Sequence, residues 1–345
     1  MVYCGMDIAS VSSYVYVADK QGRKLSAGEI ATTEQAMRDR LGPFVGRKLS
    51  IAIEAGNQTA WIHEALVKMG SAVTVVNPAK VKAIAQSRRK TDKIDAKLLC
   101  DLLRLDGLPH PVHMPSERAR AVRGLLRARK QLVSARTKLC NVVRGMLRQE
   151  GIRLRLRALS TYVGWQRVQA DGFDRPHMAT IVATYYESFV RLTKSIRELE
   201  RELDAQERAD KRAARLETMP KVGQITALTT ISALDDPGRF RSSRKAVSYS
   251  GLAPTVRSSG ERTVYGSISR EGRSELRAVW VQVAHLVVLD RKRSTQALRT
   301  WFNRVARRRG KKTATVALAR KLLVIAYHIL RDETVYDPTR LKRAG

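Results

Sequence analysis

Apolar positions follow two regimes along this chain: short runs cut by turns up to about residue 78, and long helical periodicities after about residue 116. Residues 3–9 and 49–56 are compact apolar runs, the mark of buried strands. Residues 12–17 alternate towards Tyr14 and Tyr16, and Asp19-Lys20-Gln21-Gly22 supplies a hairpin turn into residues 23–32. A helix is predicted from Thr33 to just before Pro43, another from Thr59 to Gly70, and a fifth strand over 71–76 closed by Asn77-Pro78.

After a proline-rich break at 108–115 the chain reads as helix for about thirty residues. Ala128, Leu132, Ala135, Leu139, Val142 and Met146 recur in alternating steps of four and three, as do Tyr185, Phe189, Leu192, Ile196, Leu199 and Leu203. These two stripes predict the arms of a coiled coil or long helical hairpin, with a basic outer face running from Arg118 to Arg144. Residues 151–176, with Trp165 and Phe173, are basic and receive no assignment. Further helices are predicted over 273–289, 295–308 and 314–331.

Three strands, a helix, a strand, a helix and a strand, followed by a late helix, is the element order of a ribonuclease-H-like fold. The expected architecture is therefore α/β plus all-α: a ribonuclease-H-like domain over 1–108, a helical hairpin or coiled coil over 116–214, and a helical domain over 215–345.

Acids stand where this pattern makes them costly. Asp7 falls in the first apolar strand and Glu54 at the end of the fourth, and an ionised carboxylate in such a run costs several kcal/mol unless a cation or metal compensates it. In Lys90-Thr91-Asp92-Lys93-Ile94-Asp95-Ala96-Lys97, Thr91 is a helix cap, and Asp92 and Asp95 leave one face of the helix three residues apart. With Arg88, Arg89, Lys90, Lys93 and Lys97 around them, the two carboxylates point to a divalent-metal site facing phosphate. The plainer alternative is a solvated helix start whose acids favour the positive end of the dipole.

Charge narrows the partner. Sixty-five Lys and Arg stand against 32 Asp and Glu, a net charge of +33, which points to a polyanion, and nucleic acid is the expected one. No uninterrupted apolar run approaches the roughly 18 residues that would span a bilayer, so no membrane partner is expected. Cys4, Cys100 and Cys140 are scattered without metal or disulfide spacing, and Asp7 stands where a signal peptide needs an apolar core, so a cytoplasmic setting is expected.

Two further stretches carry candidate chemistry. Around Met219-Pro220-Lys221-Val222-Gly223, a tight turn before a helix is either a backbone cradle for phosphate, with Lys221 and Gly223 as its parts, or an ordinary helix-to-helix connection. Residues 255–262 read as a polar loop in an otherwise helical half. Its serines are ordinary turn residues or a nucleophile, and Arg257, Arg262, Arg270 and Arg273 nearby would stabilise charge developing on a phosphodiester.

Taken in order, Gly5-Met6-Asp7, Ile53-Glu54-Ala55, Asn77-Pro78, the 90–96 segment, Pro220-Lys221-Val222-Gly223 and Ser250-Gly251-Leu252-Ala253-Pro254 ahead of Ser259-Gly260 resemble one family over nearly the whole chain. It is the insertion-sequence family called "one-ten", whose members join a DEDD domain similar to the resolvase RuvC to a domain with a catalytic serine, and whose relatives include pilin-gene invertases. The resemblance implies that Asp7, Glu54, Asp92 and Asp95 hold Mg2+ or Mn2+ and that Ser259 is the nucleophile. Glu261 and Arg262 replace the small residues expected after Gly260, which keeps Ser258 as the alternative nucleophile.

The same resemblance implies a DNA recombinase acting through a covalent serine–phosphate intermediate at a composite site of metal-binding acids and serine. It implies DNA duplexes and a structured guide RNA as partners, and a homodimer or homotetramer. A metal-dependent hydrolytic nuclease of RuvC type and a site-specific invertase are the alternatives.

Overall fold

In the computed structural model, which describes residues 1–84, 91–173, 175–259 and 262–339, the chain forms two compact units, Met1–Met114 and Pro115–Gly345. The first is a five-stranded sheet in the order β3-β2-β1-β4-β5, built from β1 (Val2–Ile8), β2 (Ser12–Asp19), β3 (Lys24–Ala31), β4 (Leu49–Glu54) and β5 (Ala72–Val76). β1, β2 and β3 are antiparallel neighbours, whereas β4 runs parallel to β1 and β5 parallel to β4. That is the ribonuclease-H-like strand order expected from the sequence.

Period-two alternation divides the sheet's residues between two layers. Val2, Cys4 and Met6 of β1 join Ile51 and Ile53 of β4 in a core with Met37 and Leu41 of α1 (Glu34–Val45) and Ile62 and Leu66 of α2 (Thr59–Lys68). Helix α1 runs past Pro43 instead of stopping before it, since the missing proline N–H removes only one bond from the last turn. The short α3 (Pro78–Ile84), started by the Asn77 side chain accepting from the Ala79 amide, was not expected.

The opposite layer is α4 (Asp92–Arg104). Thr91 caps it as read, its hydroxyl accepting from the Ile94 amide. This helix lies so close on β1 that a Cβ placed on Gly5 would stand 2.0 Å from the Ala96 carbonyl oxygen and 2.4 Å from the Cys100 amide nitrogen. Only glycine permits that approach.

The second unit begins with α5 (Glu117–Gln149) and α7 (Pro176–Arg208), which run antiparallel against each other within the chain. Arg129 pairs with Glu200 at 2.6 Å, and Arg136 reaches Thr193. The unassigned 151–176 stretch holds a 3-10 turn and α6 (Tyr162–Ala170), whose Trp165 is fully buried against Phe189 and donates to the Leu159 carbonyl. Local pattern missed α6 because the helix is only 9 residues long and buries just Trp165 and Val168, too short a run to show a periodicity.

Among the described residues six more α-helices complete the unit: α8 (Lys211–Glu217), α9 (Gln224–Leu234), α10 (Ser243–Ser250), α11 (Ser274–Leu289), α12 (Gln296–Arg309) and α13 (Lys311–Arg331). Trp280, Phe302, Leu322 and Tyr327 lie in their common core, and the Tyr327 hydroxyl donates to the Phe240 carbonyl. Among the described residues α13 alone is long and apolar enough to cross a membrane, and 56% of that stretch is buried in this core.

The polar loop expected at 255–262 is instead a hairpin, β6 (Pro254–Ser259) and β7 (Arg262–Ile268), paired from Pro254↔Ile268 to Ser259↔Arg262. Val256 and Val264 are exposed, and no regular apolar alternation runs along either strand to announce the hairpin in the sequence.

Candidate functional site

The acids converge by strand register and helix direction. Met6 pairs with Ile53, so the next residues, Asp7 and Glu54, stand level at the carboxyl ends of adjacent parallel strands, and alternation puts both on the α4 side. Helix α4 runs opposite to β1: the Cys100 thiol reaches the Tyr3 carbonyl at 3.4 Å, and Ala96 covers Gly5. From Ala96 back to Asp92 the helix advances about 6 Å. From Gly5 to Asp7 the strand advances about 6.6 Å. The first turn of α4, with Asp92 and Asp95, therefore reaches the level of Asp7.

Four carboxylates offer the hard oxygen donors that Mg2+ or Mn2+ prefers. In the described conformation no three His, Cys, Asp or Glu side chains among the described residues close into a metal-holding group. Asp92 is exposed and Asp95 half-buried, so neither is locked into the sheet's core. Lys93 and Lys97 flank them, both exposed, while Arg88, Arg89 and Lys90 lie outside the described residues.

In the second unit the backbone places Ser259 at the end of β6 opposite Arg262, and Ser258 opposite Thr263, with Arg257 opposite Val264. The serine is thus the last paired residue before the turn. The other end of the hairpin is clamped. Arg270, exposed and with φ +57°, donates its amide to the Gly251 carbonyl, and Arg273 donates its amide to the Tyr249 carbonyl and its Nε to the Tyr249 hydroxyl. A Cβ on Gly272, at φ +115°, would meet the Tyr249 carbonyl oxygen at 2.3 Å, so the return from hairpin to α11 needs glycine.

Tyr249 was not a candidate from sequence. Burial pushes its phenol up, but the Arg273 hydrogen bond and the Arg123 and Arg239 guanidinium groups outweigh that and hold it below the usual range. Arg239 lies over the rings of both Phe240 and Tyr249, at 4.0 and 4.6 Å. Arg123 and Arg239 also donate to the last carbonyls of α9, at Ser232, Ala233 and Leu234, answering the negative end of its dipole. Several arginines of the supposed outer face of α5 therefore have partners within the chain: Arg118 meets Asp210, Arg123 meets α9 and Arg129 meets Glu200. Periodicity marks the apolar seam of a helix but not how far a long guanidinium reaches around it.

Lys221, with φ +66°, pairs with Asp290 at 3.1 Å, and Gly223 is the extended N-cap of α9 with no atom within 4 Å of where a Cβ would stand. The turn leaves backbone accessible at Gly223 while its lysine is held by an acid of the same unit.

A sheet of this order, with acids at the carboxyl ends of its central parallel strands and on the helix across that face, defines a ribonuclease-H-like domain of DEDD type. Residues 4–151 match a family model for DEDD transposases of IS110 type, and residues 213–300 match the model described as transposase IS116/IS110/IS902 family. The chain is 30% identical over 293 residues to a protein named probable family 20 transposase of Pseudomonas aeruginosa, covering 84% of this chain and 86% of that one. It is 28% identical to the transposase for insertion sequence element IS1111A of Coxiella burnetii, covering 83% and 79%, and 29% identical to a pilin gene-inverting protein of Moraxella bovis, covering 77% and 74%. The chain belongs to the IS116/IS110/IS902 family of transposases.

Proposed function

We propose that this transposase cuts and rejoins DNA strands through a covalent serine–phosphate intermediate, with Asp7, Glu54, Asp92 and Asp95 as the metal-holding acids and Ser259 as the nucleophile. The observation that carries the acid assignment is the register of β1 and β4, which sets Asp7 level with Glu54 on the face crossed by the first turn of α4. A bound Mg2+ or Mn2+ would neutralise phosphate charge and polarise the phosphoryl oxygens for attack.

The serine Oγ forms a bond to phosphorus, and the bond from phosphorus to a deoxyribose oxygen breaks. The Oγ proton passes to solvent or a neighbouring base, and the departing oxygen takes up a proton as a hydroxyl. A deoxyribose hydroxyl of the partner strand then attacks the same phosphorus and releases the serine, so the phosphodiester count is unchanged and no external energy source is needed. Clamping of the hairpin by Tyr249, Arg273 and Gly272 supports a positioned nucleophile, and the cations of this segment suit the charge that develops on phosphate. Choice of DNA by pairing with a structured guide RNA, and work as a homodimer or homotetramer, belong to the same reading and rest on the family resemblance.

The test traps the reaction on DNA nicked beside the exchange point and digests the product. Wild type should yield protein joined to one DNA end through residue 259. Ser259→Ala should yield neither adduct nor recombinant while still binding DNA. An adduct on Ser258 moves the site by one residue, and cutting by Ser259→Ala at the wild-type rate refutes the serine in favour of a hydrolytic nuclease.

A further inference from the structure

Between Arg291 and Arg331 the chain carries thirteen Lys and Arg and not one Asp or Glu. This stretch covers α12 and α13, joined by the single residue Gly310. Their shared corner gathers Arg304, Arg307, Arg308, Arg309, Lys311 and Lys312, all exposed, and among the described residues none of the six has an ion-pair or hydrogen-bond partner. The neighbouring arginines of α5 and α8 behave differently, since Arg118, Arg129 and Arg212 each meet an acid of the same unit.

The fold itself gains little from this corner. Phe302 and Leu298 anchor α12 to the core and Ala314 and Leu318 anchor α13, so the packing is made by the apolar faces. Arg307, Arg308 and Arg309 sit favourably at the C-terminal end of α12, but Lys311 and Lys312 stand in the first turn of α13, where the helix dipole disfavours a cation and no acid offsets them. Burial and the nearby Arg304 also disfavour the charged form of Lys321, between two and three turns further along α13. A polyanion docked on this corner would relieve that repulsion.

From these observations we infer that the α12–α13 corner is a docking surface for the sugar–phosphate backbone of duplex DNA, the occupant that membership of a transposase family favours. Spacing agrees. Arg304 to Arg309 spans about 7.5 Å of helix, a length over which a duplex presents roughly four phosphate charges, and this segment offers four cations. Guanidinium and ammonium groups neutralise phosphate whatever the sequence, so random-sequence duplex is the probe for this contact.

The surface is tested on the full chain with Arg307, Arg308, Arg309, Lys311 and Lys312 changed together to Gln. The control removes equal charge elsewhere, with Lys20, Lys24, Arg47, Lys48 and Lys68, all exposed, changed to Gln. Binding to random-sequence DNA duplex, RNA duplex and single strands is titrated against salt. The corner variant should lose about three to five units from the slope of log affinity against log salt on a duplex and bind at least tenfold more weakly near 0.15 M salt, whereas the control should lose about one unit or less. Arg307→Lys, Arg308→Lys and Arg309→Lys together should keep the wild-type slope, because a point charge suffices for phosphate, and circular dichroism should show unchanged helix. The loss should appear on DNA duplex, and a loss on RNA duplex without one on DNA duplex overturns the inference. Equal slopes for corner and control variants overturn the inference, as does a loss confined to single strands. Since binding is read without strand exchange, failure of the serine chemistry would leave this result standing.

Discussion

Replacing Gly5 by alanine is the sharpest test of how the acids are brought together. The added Cβ would stand 2.0 Å from the Ala96 carbonyl oxygen, 2.4 Å from the Cys100 amide nitrogen and 2.9 Å from the Leu99 Cβ. An unstrained contact needs about 3.5 Å, so α4 must retreat from β1 by about 1.5 Å. The first two obstacles are backbone, so no rotamer change relieves them. Overpacking of this kind costs about 1–3 kcal/mol, and the upper end applies because a whole helix must move. That helix carries Asp92 and Asp95. A displacement of about 1 Å at a reacting site costs on the order of a hundredfold in rate, so strand exchange should fall at least that far. Denaturant unfolding and hydrogen exchange of the β1 and α4 amides measure the first effect, and a recombination assay the second. Gly124→Ala is the control: nothing lies within 4 Å of its Cβ position, it sits inside α5, and it should stabilise by about 1 kcal/mol. If Gly5→Ala unfolds at the wild-type midpoint and exchanges strands at the wild-type rate, the close seating of α4 does not set the acids.

Asp7→Asn, Glu54→Gln, Asp92→Asn and Asp95→Asn should each abolish or severely reduce strand exchange while leaving affinity for DNA nearly unchanged in a gel-shift titration; wild-type exchange by any of the first three removes that residue from the metal-holding set. Asp210→Asn should destabilise the second unit by about 2–3 kcal/mol, because the buried carboxylate meets Arg212 at 2.7 Å and Arg118 at 3.4 Å and the change leaves both without their anion. Burial pushes the Asp210 carboxyl up, but the Arg212 hydrogen bonds outweigh it and hold it below the usual range, so its contribution is present above the ordinary Asp value and is lost as pH falls through the lower folded value. Glu217 behaves oppositely: burial and the Glu207 carboxyl push it up to about 7, so the folded state binds a proton that the unfolded state releases, and stability falls as pH rises from about 4.5 to 7. Glu217→Gln should flatten that part of the melting-temperature profile, and an unchanged profile would show that the two carboxyls do not share a proton.

Much of the first unit was legible because its signals are local. The Thr91 cap, the Asp92 and Asp95 spacing, the hairpin turn at Asp19–Gly22 and the two apolar runs carrying Asp7 and Glu54 each specify backbone within a few residues, and together they order the sheet. The level pairing of Asp7 with Glu54 was not legible, since register depends on how two distant strands meet. The second unit was harder. Its helices announced themselves by apolar spacing, but the hairpin holding Ser259 carries no regular apolar alternation to mark it, and Tyr249 acquires its arginine surroundings only when α5, the turn after α9 and the start of α11 come together. The basic stretch around Arg307 was not among the candidates read from sequence. That its charges stay unpaired while those of α5 find partners is a property of the folded chain.

The placement of α13 governs when the protein can finish folding. Leu318, Leu322, Leu323, Ala326 and Tyr327 fill the centre of a core whose other walls run from Ala213 to Phe302, so every wall is synthesised before its centre. The sheet unit ends at Met114 and can close as soon as it leaves the ribosome, whereas the helical unit must wait for some two hundred further residues, on the order of 10–40 s of synthesis. During that interval the faces of α10, α11 and α12 that pack on α13 stay uncovered, which makes this half of the nascent chain a natural client for chaperones that shield hydrophobic surface.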